Sequence, residues 1–140
     1  MIGILSPDEI EAMLRRHRVG RIACSANDRP YVVPITYAYD GRFVYGYSAL
    51  GRKVSVMREQ PLVCFELDEI DGPASWRCVV AEGLYEEVSD EETLEEILPR
   101  LTGPGGEPVL RSLCGCASDR IVVFRLRLTE KSGRFERRDA

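Results

Sequence analysis

Residues 34–53, from Pro34 to Lys53, read as strand, turn, strand and the first turn of a helix, and the rest of the chain has to accommodate that order. Asp40-Gly41 marks the turn, because glycine takes the positive φ that a tight connection between twisted strands requires. Tyr, Val, Ile, Thr and Phe crowd the segments on either side, the composition of strands. Registered on that turn, Tyr37 faces Val44, Ile35 faces Gly46 and Val33 faces Ser48. On the opposite side Ala38 faces Phe43, Thr36 faces Tyr45 and Pro34 faces Tyr47. Neither side is polar, which predicts a wall of β structure covered inside by a core and outside by a partner or a ligand.

After the second strand, Val54 and Met57 sit three apart and Pro61 stops the pattern, so a short helix begins near Gly51. The first turn of a helix presents unpaired N–H groups and the positive end of its dipole. Ser48, Arg52 and Lys53 add a hydroxyl and two cations to that end, which together make a seat for a phosphate. Pro34 removes a ladder hydrogen bond, as prolines do at edges and bulges. Backbone groups of Ile35 and Thr36 are then free to pair with the edge of a flat heterocycle; a plain edge strand is the simpler alternative.

The remaining elements are legible in order. Ser6-Pro-Asp-Glu9 is a capping box that opens a helix to about Arg16, with Ile10, Met13 and Leu14 as its apolar stripe. Strands are expected at Val19–Ala26, from Pro30 or Tyr31, at Leu62–Asp68, at Ser75 to about Val88, and at Ile121–Leu128. Residues 69–74 read as a loop, and Ser89-Asp-Glu-Glu92 as a second capping box before a helix that stops near Pro99. Val109 to Leu113 reads as one helical turn. With the strand at residues 43–48 this gives six strands and peripheral helices in a single domain, 1–140.

Composition narrows the function classes. No apolar run approaches the ~20 residues of a membrane span, and the start has no basic head or long apolar segment, which places the chain in the cytoplasm. Residues 86–96 carry seven of the 23 acidic groups, leaving 19 basic against 16 acidic elsewhere. That balance suits a phosphorylated small molecule and gives no continuous basic face for nucleic acid. Five scattered cysteines are not a disulfide framework; Cys114 and Cys116 lack a second ligand pair for zinc, so no metal is expected. His17, the one histidine, sits at a helix C-terminus among arginines and reads as a cap or surface residue.

Four pieces carry a family resemblance: Val19-Gly-Arg-Ile-Ala23, residues 29–37, Tyr45 to Val54, and residues 61–68 with the later Ser75-Trp-Arg77. In that order they resemble the pyridoxamine 5'-phosphate oxidase-like split barrels that bind FMN, in the nitroimidazole-resistance branch. The resemblance implies that Ser48, Arg52 and Lys53 hold the FMN phosphate. It implies that backbone near Val33, Pro34, Ile35 and Thr36 lines the ring, and that Ser75, Trp76 and Arg77 close the site. It further implies a six-stranded split β-barrel and a homodimer with two flavins at its interface. Tyr47 stands where members of that branch carry histidine, a departure that bears on nitro-drug reduction and leaves flavin binding untouched.

The function expected on these grounds is an FMN-dependent oxidoreductase acting on a small-molecule substrate. Its cofactor would carry the redox chemistry and the protein would supply orientation and a dry pocket. Tyr47 is the candidate proton donor, although an ordinary phenol is a poor acid at neutral pH. The alternative is a non-catalytic flavin- or haem-binding module, with haem disfavoured by the scarcity of histidine.

Overall fold

Alternation of apolar and polar residues at period two sets most of this chain as strands, and three amphipathic segments supply helices. The computed structural model describes residues 1–102 and 121–138. In order the elements are β1 (Ile2–Ile4), α1 (Pro7–Arg16), β2 (Val19–Ala26), β3 (Arg29–Thr36), β4 (Ala38–Tyr39) and β5 (Phe43–Ala49). They continue with α2 (Arg52–Glu59), β6 (Leu62–Gly72), β7 (Ser75–Glu87), α3 (Glu91–Thr102) and β8 (Ile121–Glu136). All eight strands join one antiparallel sheet in the order β3-β2-β6-β7-β8-β5-β4, with β1 added on β8.

This corrects the expected six-stranded barrel: the sheet has eight strands and does not close between β3 and β4. β1 carries no turn signal of its own, and β4 is the tail of what reads as one strand from Tyr31 to Tyr39. Tyr37 makes the break. Its side chain is buried, its hydroxyl donates to the Leu14 carbonyl at 2.7 Å, and its ring meets Phe65 edge-on with centroids 4.9 Å apart. Burial pushes its phenol well above the ordinary range. On one side of this anchor β3 pairs with β2; on the other, β4 pairs with β5.

The hairpin register therefore differs from the expected one. Ala38 faces Tyr45 and Tyr39 faces Val44, a shift of two, while Val33, Pro34, Ile35 and Thr36 face β2 and not β5. The Asp40 carboxylate explains the shift: it accepts from the N–H groups of Arg42 and Phe43 at 2.9 and 2.7 Å, widening the turn to four residues. Gly41 still takes the positive φ, at 99°.

The inner face of the sheet packs one core. Ile22, Phe65, Leu67, Val79, Phe124 and Leu126 meet Ile10, Met13 and Leu14 of α1 and Met57 of α2. Ser6 caps α1 as expected, its hydroxyl accepting from the Glu9 N–H at 3.2 Å. A second cluster, Tyr45, Val88, Ile97, Leu101 and Val123, lies where α3 covers the other face of β5 and β8. The second apolar face of residues 43–48 is thus covered within the chain, which removes the strand argument for a partner at that place. α3 is capped by Asp90, which accepts from the Thr93 N–H at 2.9 Å and from its hydroxyl, and not by Ser89. The helix runs through Pro99 to Thr102, because burying Ile97 and Leu101 outweighs one lost hydrogen bond in the last turn.

Residues 69–72 extend β6, and only Pro73 and Ala74 separate it from β7; β8 runs on to Glu136. Val109–Leu113, Cys114 and Cys116 lie outside the described residues. Register also shows which sheet face stays open. Ile2, Ile4, Val19, Val32, Leu62, Ile70 and Val80 all project from the outer face of β1, β2, β3, β6 and β7. They are seven of the nine large apolar side chains exposed among the described residues, and no described helix covers them.

Gly20 marks a close inward approach that backbone closes off: a Cβ there would lie 2.4 Å from Phe65 Cζ and 3.0 Å from the Glu66 carbonyl oxygen. Gly20→Ala should cost about 1–3 kcal/mol in urea denaturation. Gly72→Ala, with nothing within 4 Å of the new methyl, should be near neutral.

Candidate functional site

α2 starts at Gly51 without any side chain capping it, so its first N–H groups have no side-chain acceptor. Two cations stand at this end. The Arg52 guanidinium lies over the Tyr31 ring, 5.0 Å from its centroid, which ties the helix to β3. Lys53 is half-buried beside Cys24. Burial pushes the Lys53 ammonium below its ordinary value and the Cys24 thiol above its own. Among the described residues no carboxylate pairs with either cation. Ser48, near the end of β5, donates to the Ala49 carbonyl at 2.9 Å and keeps its acceptor lone pairs.

β3 is the terminal strand of the sheet, bonded to β2 alone. Its outward N–H and C=O groups therefore have no ladder partner among the described residues. Pro34 is exposed on that edge opposite Arg21, Ile35 is buried, and Val33 and Thr36 are half-buried. The structure thus brings β3 and the positive end of α2 to one corner, with Tyr31 and Cys24 as additional members. Neither was legible beforehand. The Tyr31–Arg52 stack joins residues far apart in sequence, and Cys24 reads as ordinary core.

Ser75, Trp76 and Arg77 lie elsewhere. They open β7 beside Gly72, whereas Cys24 and Lys53 sit level with Val63. Nine residues of extended strand separate the two levels, about 30 Å. At the far corner a cavity of about 690 Å³ is bordered by Arg16, Glu69, Ser75, Trp76, Arg77 and Glu136. The Trp76 indole N–H donates to Glu136 at 2.8 Å. Glu69 accepts from Arg16 Nε at 3.0 Å and lies 3.0 Å from His17 Nε2. The Arg16 guanidinium holds the Glu69 carboxyl down at about 2, with His17 assisting. Arg77 is exposed, and its guanidinium makes no hydrogen bond or ion pair with a described residue.

Tyr47 points to neither corner. It faces Val123 on β8 and packs with Leu94 and Leu98 of α3 against the second cluster. Its expected neighbour Pro34 is on another strand ladder.

The sequence family described as pyridoxamine 5'-phosphate oxidase matches residues 6–135, both corners included. The chain belongs to that family. Similar to it is an uncharacterized protein of Rhizobium meliloti, 30% identical over 95% of this chain and 94% of that one. Among solved structures, a FAD-binding protein from Mesorhizobium loti is 32% identical with a TM-score of 0.78, covering 98% of this chain and 99% of its own. A proposed 5-nitroimidazole antibiotic resistance protein from Bacteroides thetaiotaomicron reaches a TM-score of 0.74 at 16% identity, over 96% of this chain and 87% of that one; it shares the fold.

Lys53 carries a testable cost. Its lowered folded pKa means that the charged form is penalised in the fold, fully so below that pKa and not at all above the ordinary value of 10.5. Lys53→Met should therefore melt at a higher temperature than the parent at pH 7. The gap should narrow as pH rises through the lowered pKa, as followed by thermal denaturation.

Proposed function

We propose that this protein binds FMN and serves as an oxidoreductase for a small-molecule substrate. The observation that carries the reading is the half-buried Lys53, with no anion of its own among the described residues, at a helix end that no side chain caps. Burying a cation without a partner is costly, and a phosphate supplies the missing charge and accepts from the free N–H groups. Lys53, Arg52 and Ser48 would hold that phosphate. Backbone of β3 from Val33 to Thr36 would meet the ring edge. FAD, which the Mesorhizobium loti relative binds, presents a phosphate at the same point of the flavin. The flavin, when bound, supplies the electron transfer; the chain contributes position and exclusion of water.

The site needs two copies. Ser75, Trp76 and Arg77 cannot reach their own chain's phosphate seat across about 30 Å of strand. A second copy would supply its far corner to that seat, reached past the free edge of β3, and burying the exposed apolar row of the outer face would hold it there. A place in the cytoplasm fits the free thiols Cys24, Cys64 and Cys78 among the described residues. No described helix is long and apolar enough to cross a membrane.

A non-catalytic flavin module is the second reading, favoured by the packing of Tyr47 under α3, away from both corners. Haem is disfavoured, since the one histidine is engaged with Glu69.

The visible spectrum of the purified protein tests flavin against haem directly. Arg52→Ala and Lys53→Ala should each weaken FMN by about 2–5 kcal/mol while changing riboflavin, which lacks the phosphate, far less. Titrations followed by flavin fluorescence decide this; equal losses for both ligands remove the phosphate seat. For the enzyme reading, electrons should pass from reduced FMN to an acceptor faster on the protein than free in solution. Rapid mixing with quinones and nitroaromatics measures that. Tyr47→Phe should leave both the rate and flavin binding unchanged, as its packing under α3 implies, and an altered rate would restore it as the proton donor.

A further inference from the structure

The outer face of the sheet carries the exposed apolar row together with charged groups, Glu130 and Glu136 of β8 toward its rim and one cluster near its middle. Arg21 of β2 lies opposite Glu66 of β6, and its Nη1 reaches Glu66 Oε1 at 3.1 Å and Asp68 Oδ2 at 3.4 Å. One guanidinium therefore serves two carboxylates, and the cluster keeps one negative charge in excess. Cys78 of β7, opposite Asp68, donates its thiol toward Glu66 Oε2 at 3.5 Å. The other charged groups facing the cluster are Glu82 of β7 and Arg134 of β8, the latter level with Cys78; β3 contributes only Pro34 and Thr36. Val80 lies directly opposite Glu66, and Val32 is exposed beside Ala23. Water now screens the excess charge: the Glu66, Asp68 and Arg21 side chains are 30%, 24% and 48% exposed.

We propose that covering this face with a second copy makes each Glu66–Asp68 pair take up one proton, so that dimerisation, and with it the two-copy flavin site, tightens as pH falls. The proposal rests on the two-copy reading above. Its physical basis is that an unpaired carboxylate moved out of water between apolar side chains becomes protonated before it stays charged. A protonated Glu66 can donate to Asp68, which keeps Arg21 as its counter-ion. The proton comes from solution to a carboxylate oxygen, one per chain and two per dimer. Even in the single chain, burial and the neighbouring Asp68 already hold the Glu66 carboxyl above its ordinary value. The thiol of Cys78, pushed up to about 11 by burial and Glu66, stays protonated throughout.

The test is sedimentation equilibrium of the full chain loaded with FMN, from pH 5.5 to 8. A proton taken up on association changes log Kd by at most about one per pH unit, so two give at most about two. We expect the dimer to be at least about tenfold tighter at pH 5.5 than at pH 8. Glu66→Gln, uncharged at every pH and still a donor to Asp68, should dimerise at pH 8 as the parent does at pH 5.5, with a flat profile. Asp68→Asn should shift the profile the same way and replaces the first variant if circular dichroism shows that it does not fold. His17→Gln removes the one histidine, engaged with Glu69 away from this cluster, and should keep the parent slope. A parent dimer whose Kd is flat, or rises as pH falls, overturns proton uptake and leaves the dimer standing. Glu66→Gln with the parent slope does the same. A monomer at every pH overturns the two-copy reading and this proposal with it.

Discussion

Because Tyr37 must bury a large ring while keeping its hydroxyl bonded, the chain turns at that residue, and the pairing of four strands follows. Its hydroxyl finds the free carbonyl of Leu14 in the last turn of α1, and its ring closes on Phe65 in the middle of β6. The backbone N–H of Tyr37 is spent on Arg18, in the link from α1 to β2. Helix, sheet centre and strand corner are thus locked by one side chain. Everything before the corner is given to β2 and everything after it to β5. The edge left on β3 is a consequence of this, and so is the gap that keeps the sheet from closing.

Around that frame the two faces of the sheet are treated differently. Helices α1 and α2 supply apolar side chains to the inner face, and α3 seals the reverse of β5 and β8. The reverse of β2, β6 and β7 receives no described helix. A face with this many exposed aliphatic side chains is unusual for an isolated chain and ordinary for one surface of an assembly. The Arg21–Glu66–Asp68 cluster in its middle puts charge on that face, and on the proposed covering by a second copy it would make burial sensitive to proton concentration.

The positive end of α2 shows the opposite economy. Several cations elsewhere are matched with carboxylates: Arg16 with Glu69, Arg58 with Glu87, Arg125 and Arg127 with Glu86, Lys131 with Glu11. Lys53 is left half-buried and unmatched by any described carboxylate, at a helix start that no side chain caps. Stability is given up at this position, a pattern that functional sites share.

The sequence by itself determined the local elements and the chemistry they carry. Apolar spacing and capping residues placed α1, α2, α3 and six of the eight described strands, since these signals act within a few residues. The resemblance in residues 19–88 pointed to the family, and Ser48, Arg52 and Lys53 stood out as a candidate phosphate seat because they are neighbours on one strand-to-helix turn. Only the tertiary structure decided which strand pairs with which. The Asp40 side chain moved the hairpin register by two, and Tyr37 divided one expected strand into β3 and β4; both effects depend on partners that local pattern does not name. The same holds for Ser75 to Arg77. Their types suit a ligand, but their place, about 30 Å along the sheet from Lys53, follows from the register of β6 against β2 and β7. Register is set by which side chains fill the core together, and that is a property of the whole chain.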